Sequence, residues 1–159
     1  MKIGIVSDTH GDLKALQKVL DQAGPVDLWL HAGDYSQDAP YIEAETNLPV
    51  MAVCGNCDLY EGRAAAELVT RQEGFTIAMT HGNRYVWGMD FSRLYYWGME
   101  KQADIVVFGH IHVPVCEKKD GILCINPGSP SRPRNGIPTY GILTLQATCE
   151  PKFEVKEVQ

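Results

Sequence analysis

Apolar β-branched runs alternate with helically spaced apolar residues through the first third of the chain. Residues 2–7 (KIGIVS) read as a buried strand. Residues 12–23 place Leu13, Leu16, Val19 and Leu20 at helical spacing, and Gly24-Pro25 ends that helix. A second buried strand is expected over 26–31 (VDLWLH), a short helix over 38–46 and a third strand over 49–53. The order β-α-β-α-β calls for parallel strands joined by crossover helices.

Beyond residue 65 the pattern favours hairpins. Strands are expected over 66–72 and 75–80, joined by a turn at Glu73-Gly74. An aromatic-rich helix follows over 90–102, then a buried strand over 104–108 (DIVVF). Short strands are expected near 113–118, 122–125, 140–145 and 153–158. No repeat, low-complexity tract or linker interrupts the pattern, so residues 1–159 read as a single domain. Two packed sheets flanked by helices are expected.

The polar residues fall where these strands end. The first strand runs into Asp8-Thr9-His10, the second into Gly33-Asp34 and the third into Gly55-Asn56-Cys57-Asp58. The strand over 75–80 runs into His81-Gly82, and that over 104–108 into Gly109-His110-Ile111-His112. Ligands of parallel sheets bind beyond the carboxyl ends of the strands. Asp8, His10, Asp34, Asn56, His81, His110 and His112 therefore converge on one edge, with glycines beside them to turn the backbone. Any one of these alone has a plain explanation. A lone His is commonly a structural hydrogen-bonder, and Asp8 alone could cap the following helix. Four of five histidines at strand ends exceed that explanation; His31, inside its strand, reads as a core group or a support for the ligands.

Imidazole with carboxylate suits Mn, Fe, Co, Ni or Zn. Seven candidate ligands exceed the needs of one tetrahedral zinc. A shared carboxylate can bridge two ions about 3.5–4 Å apart, as in two-metal hydrolytic sites. In Asp8-x-His10 and His110-x-His112, alternate residues of an extended segment point the same way and can grip one ion or straddle two.

Composition narrows the classes. The chain has 159 residues, 45% hydrophobic and 21% charged, which suits a globular domain with a sizeable core. Its net charge of −6, from 14 basic and 20 acidic residues, weighs against broad nucleic-acid binding. Bound cations would offset part of that charge at the site. The N-terminal apolar run is too short for a signal peptide, and no stretch reaches membrane-spanning length, so a cytoplasmic protein with no membrane association is expected. Five cysteines in such a chain read as free thiols.

Three features compete for attention. Cys54-Gly55-Asn56-Cys57 is a C-x-x-C that follows a strand, yet it lacks the remaining context of a redox motif, and Asn56 is better explained as a ligand. Arg132 and Arg134 lie in the Pro-rich loop 127–138; they are candidate substrate-phosphate binders, with solvated loop charge as the plainer reading. Residues 85–97 hold six aromatics, read either as a helix face packed on the sheet or as a contact in a homo-oligomer.

The five motifs, in this order across nearly the whole chain, resemble the calcineurin-like metallophosphoesterase superfamily. The segment Asn126-Pro127-Gly128-Ser129 is similar to its small YfcE-like phosphodiesterase branch, which the eukaryotic retromer subunit also resembles. The resemblance implies an α/β (α+β) fold, a four-layer αββα sandwich of two mixed β-sheets flanked by helices. It implies that Asp8, His10 and His112 bind one metal, that Asn56, His81 and His110 bind a second, and that Asp34 bridges both. Two divalent ions, Mn foremost with Ni, Zn, Fe or Co also suited, would hold the attacking water or hydroxide. Asn56, His81, Cys57 and Asp58 would stand nearest the chemistry. Many superfamily members carry His where this chain has Cys57, and that His is thought to protonate the leaving group. A thiol near its usual pKa of about 8.5 is a poor substitute. The proton would then come from Asp58 or a metal-bound water. The implied function is hydrolysis of a small-molecule or nucleotide phosphodiester; the alternative is a retromer-subunit-like protein-binding scaffold with a vestigial metal site.

Overall fold

A computed structural model describes residues 1–58 and 64–159. The first sheet contains β1 (Lys2–Val6), β2 (Leu28–His31), β3 (Val50–Ala52), β9 (Thr139–Thr144) and β10 (Lys152–Glu157), in the order β10-β9-β1-β2-β3. Here β1, β2 and β3 are parallel, while β9 and β10 are antiparallel. The second sheet has the order β4-β5-β6-β8-β7. It comprises β4 (Glu67–Gln72), β5 (Phe75–Thr80), β6 (Ile105–Val107), β7 (Pro114–Lys119) and β8 (Ile122–Pro127). Strands β5, β6 and β8 are parallel, with antiparallel β4 and β7 on the two edges. Helices α1 (Leu13–Gln22) and α2 (Ala39–Thr46) lie between strands of the first sheet, and α3 (Ser92–Glu100) between β5 and β6.

Strand alternation explains the layers. Ile3, Ile5, Leu28 and Leu30 face Ile77, Met79, Ile105, Val107 and Ile125 in one buried cluster between the sheets. The opposite face of the first sheet supplies Trp29, Tyr140 and Ile142 to pack with Leu16 and Val19 of α1 and Ile42 of α2. The outer face of the second sheet supplies Ala78, Val106 and Cys124 to Leu94, Tyr95 and Trp97 of α3. Helices thus cover both outer faces, giving the expected four-layer sandwich.

Most boundaries fall within a residue or two of the sequence reading. Helix α1 is capped by Asp12, whose Oδ1 accepts from the Ala15 N–H at 3.0 Å. The helix expected from residue 90 begins later, because Asp90 Oδ1 accepts the Ser92 N–H at 2.9 Å and Trp87 bridges to Asp90. The helix expected from residue 38 is preceded by a 3₁₀ turn at Ser36–Asp38 and stops at Asn47, which takes the left-handed conformation. Among the described residues no helix is long and apolar enough to cross a membrane.

Trp29 packs against the sheet where β1 has Gly4, and a Cβ there would lie 2.5 Å from the indole. We expect Gly4→Ala to destabilise the fold by about 1–3 kcal/mol in urea unfolding, the usual cost of overpacking a tight core. An unchanged midpoint would contradict this packing.

Candidate metal centre

Parallel strands of both sheets end on one edge, and the chain is left-handed at most of the residues they deliver. Asp8 (φ 55°), His10 (48°), Asp34 (55°), His110 (70°) and His112 (56°) all have positive φ. Such backbone costs a non-glycine residue about 1–2 kcal/mol, so the surroundings must enforce it five times within one site. The enforcing contacts are specific. The Asp8 N–H donates to Gly33 O at 2.9 Å, and the Gly109 N–H to His81 O at 2.9 Å. Ser129 and Ser131 hydroxyls both donate to Asp8 O, at 2.8 and 3.1 Å. Asn126 Nδ2 donates to Gly109 O at 2.7 Å. A Cβ on Gly55 would lie 2.2 Å from Asp34 Oδ1, and one on Gly109 would lie 1.9 Å from Ser7 Oγ. These two glycines let the chain approach the carboxylates closely.

The side chains form two adjoining groups. In the first, His112 Nε2 lies 3.1 Å from Asp8 Oδ1 and 3.3 Å from His10 Nε2. His10 Nε2 lies 3.8 Å from Asp34 Oδ2. Ligand atoms of these four residues all fall within 4.8 Å of one another. In the second, His81 Nε2 lies 3.3 Å from Asp34 Oδ1, and His110 Nδ1 lies 3.1 Å from Asn56 Oδ1. The His81 and His110 rings meet edge to face at 5.4 Å. Asp34 therefore presents one oxygen to each group.

Two ring orientations are set by backbone carbonyls. His81 Nδ1 donates to Ala32 O at 2.9 Å, and His112 Nδ1 donates to Arg132 O at 2.7 Å. In the neutral rings each Nε2 then presents a lone pair to the site, the arrangement of a metal-ligating histidine. Separations near 3.1–3.3 Å match neighbouring donors around an ion bound at about 2.0–2.2 Å. Among the described residues, Asp8 Oδ1 and His81 Nε2 are buried without a hydrogen-bond partner. Orphaned atoms in such a donor set fit bound divalent cations, which would satisfy them.

Charge is distributed accordingly. Burial opposes ionisation of Asp34, but the adjacent His81 ring and the Cys57 N–H (2.8 Å) hold its carboxyl well below the usual carboxylate range. Burial pulls the His81 pKa down, and Asp34 and Asp8 more than reverse that, so it ends raised. The bond to Asp8 raises His112 despite burial. Burial lowers His10 and His110, aided respectively by Arg132 and by His81.

The remaining candidates take other positions. Burial and the adjacent Asp34 push the Cys57 thiol up to about 11. That is the reverse of an activated redox cysteine, and Cys54 and Cys57 are both free thiols. Asp58 accepts from Ser36 N (2.7 Å), Ser36 Oγ (2.8 Å) and Gly55 N (2.6 Å), bracing the turn that carries Asn56. Arg132 and Arg134 have exposed side chains beside the site, and Arg132 lines an open pocket with His10, Lys14 and Ser131. Their backbones also work: Arg132 O orients His112, and the Arg134 N–H donates to His112 O at 3.1 Å. His31 is buried, accepts the Gly33 N–H at Nδ1 (3.2 Å) and meets Thr9 Oγ1 at 3.1 Å. Thr9 in turn donates to Asp38 Oδ2 at 2.7 Å. The sequence alone assigns no role to Thr9, Asp38 or Ser131, and Asn126 enters only within a family motif; nothing local to them signals these contacts.

Such a donor cluster at the strand ends of an αββα sandwich fits a metallophosphoesterase. Residues 1–148 match the calcineurin-like phosphoesterase superfamily domain, and the chain belongs to that superfamily. It is 36% identical over 149 residues to a probable metallophosphoesterase of Methanothermobacter thermautotrophicus, covering 91% of this chain and 86% of that one. It is 32% identical over 174 residues to phosphodiesterase YfcE of Escherichia coli, covering 90% and 87%. A crystal structure from Streptococcus pneumoniae, described as a predicted phosphoesterase, superposes with a TM-score of 0.82 at 32% identity, covering 98% and 88%.

A ring that ligates a cation must give up any proton on its Nε2, and the neighbouring carboxylates favour that proton on His81 and His112. Divalent-metal affinity should therefore rise as pH increases through the histidine range, with protons released on binding. Titration calorimetry of Mn²⁺ at pH 7 in buffers of different ionisation enthalpy should show net proton release on binding. An affinity independent of pH between about 6 and 8 would contradict the assignment of these rings as ligands.

Proposed function

We propose that this chain is a dinuclear metal-dependent phosphodiesterase. Asp8, His10 and His112 hold one divalent ion, Asn56, His81 and His110 hold the other, and Asp34 is shared. The observation that carries this reading is Asp34 itself, with Oδ2 toward His10 and Oδ1 toward His81. The imidazole–carboxylate donor set suits Mn, Ni, Zn, Fe or Co, and Mn is the ion proposed here. When bound, the ions supply Lewis acidity, which acidifies a water and neutralises charge on the phosphoryl oxygens.

The chain's own groups do the rest. Ala32 O and Arg132 O keep the His81 and His112 rings turned toward the site. The exposed guanidinium groups of Arg132 and Arg134 bind the substrate phosphate. A general acid works best with a pKa near the working pH, so a Cys57 thiol at about 11 is poorly matched to protonate a leaving group. Asp58, whose oxygens accept three hydrogen bonds, serves the Asn56 turn rather than proton transfer. The substrate is accordingly a small-molecule or nucleotide phosphodiester with a leaving group that departs readily. A retromer-subunit-like scaffold with a vestigial site is the rival reading, and buried orphan donors at the site argue against it.

Asp34→Asn and His81→Ala should each lower Mn²⁺-supported hydrolysis of bis(p-nitrophenyl) phosphate by about 100-fold or more while circular dichroism stays native, since even supporting residues of metal sites are worth about 10–100-fold. Wild-type turnover in either variant would refute the shared-carboxylate site. A true general acid contributes about 10²–10⁴-fold, so Cys57→Ser should lose less than about tenfold; a larger loss would restore the thiol to the chemistry.

A further inference from the structure

Four large apolar side chains within residues 87–99 are exposed in the folded chain: Trp87 (71%), Met89 (65%), Tyr96 (71%) and Met99 (53%). They are the part of the aromatic run that the core does not absorb; Phe91, Tyr95 and Trp97 are buried. Trp, Tyr, Met and Arg are the residues enriched at the centres of protein interfaces. Arg93 lies over the Trp87 ring at 6.0 Å, which holds the indole up to solvent.

This face continues onto the edge strand β4. Val69 is 50% exposed and pairs with Ala78, which packs beneath α3, so residues 67, 69 and 71 share the side of the sheet that α3 covers in part. Glu67 and Tyr96 line one pocket, and Lys101 Nζ reaches Glu67 at 3.4 Å. Among the described residues no strand pairs with the outer edge of β4. The opposite edge, β7, begins with Pro114 and carries Glu117, Lys118 and Lys119, devices that discourage pairing. Strand β4 (ELVTRQ) has only Glu67 and Arg71, of opposite sign.

That spacing is self-complementary. If two β4 strands meet antiparallel about Val69, Glu67 of each faces Arg71 of the other, and Val69 faces its own copy. Opposite charges directly across an antiparallel pair stabilise it, and a two-fold interface requires this reciprocity. The rim carries both signs, Arg84, Arg93 and Lys101 beside Glu67 and Glu100. We infer that a second copy of this chain docks here, joining β4 to β4 and burying Trp87, Tyr96 and Met99 between the two protomers.

Sedimentation equilibrium of the full chain at micromolar concentration should give twice the chain mass. Trp87→Glu combined with Tyr96→Glu, and separately Arg71→Glu, should each weaken the dimer by at least about tenfold, as loss of a central anchor does, with circular dichroism native. Val69→Cys should form a disulfide-linked dimer on mild oxidation, while the wild-type chain, whose Cys116 and Cys149 are exposed, does not. A monomeric wild type would overturn the inference. So would a dimer indifferent to all three substitutions, or a monomer whose mass shifts only when a single-stranded oligonucleotide is added, which would assign the face to an anionic partner.

Discussion

Two carboxylates withdrawn from water shape the centre of this molecule. Asp8 is fully buried and Asp34 is 2% exposed, yet Asp34 is held ionised. An unpaired buried charge costs several kcal/mol. Here the cost is met locally by the His110 N–H at 3.1 Å to Asp8 Oδ2, the Cys57 N–H to Asp34 Oδ1, and the raised basicity of His81 and His112. A divalent ion bound there would add a stronger countercharge. Fold, protonation and chemistry therefore answer to the same pair of groups.

The support around the carboxylates comes from remote parts of the chain. Ser129 and Ser131 reach Asp8 O across more than a hundred residues, and Asn126 reaches Gly109 O. These bonds tie the segment after β8 to the turns after β1 and β6, and so link the two sheets at the edge where the ligands gather. They also hold the left-handed backbone of Asp8, His110 and His112, which isolated turns would not keep. The segment 126–134 is in this sense as much a part of the site as the ligands.

The strand ends and the polar groups they bring together were legible because apolar runs stop abruptly at Asp, His and Gly, a contrast that local pattern captures. The layering followed from alternation in segments such as KIGIV and LWLH. Long-range support was not legible, since nothing near Ser131 or Asn126 in the chain announces a partner at Asp8 or Gly109. Positive φ at His10 or His112 carries no signal either, because histidine there looks like histidine anywhere. For Arg132 the sequence pointed to the guanidinium, while the fold also gives its carbonyl the task of orienting His112. The aromatic run divided between core and surface because the helix starts only at Ser92, so helical periodicity could not be extended back to Trp87.

The account turns on two cations sharing one carboxylate. Crystals grown with Mn²⁺ and phosphate, measured at the manganese absorption edge, test this directly. The expected result is two anomalous peaks about 3.5–4 Å apart, with Asp34 contributing to both. A single peak, or two ions with Asp34 bound to neither or to one alone, would contradict it.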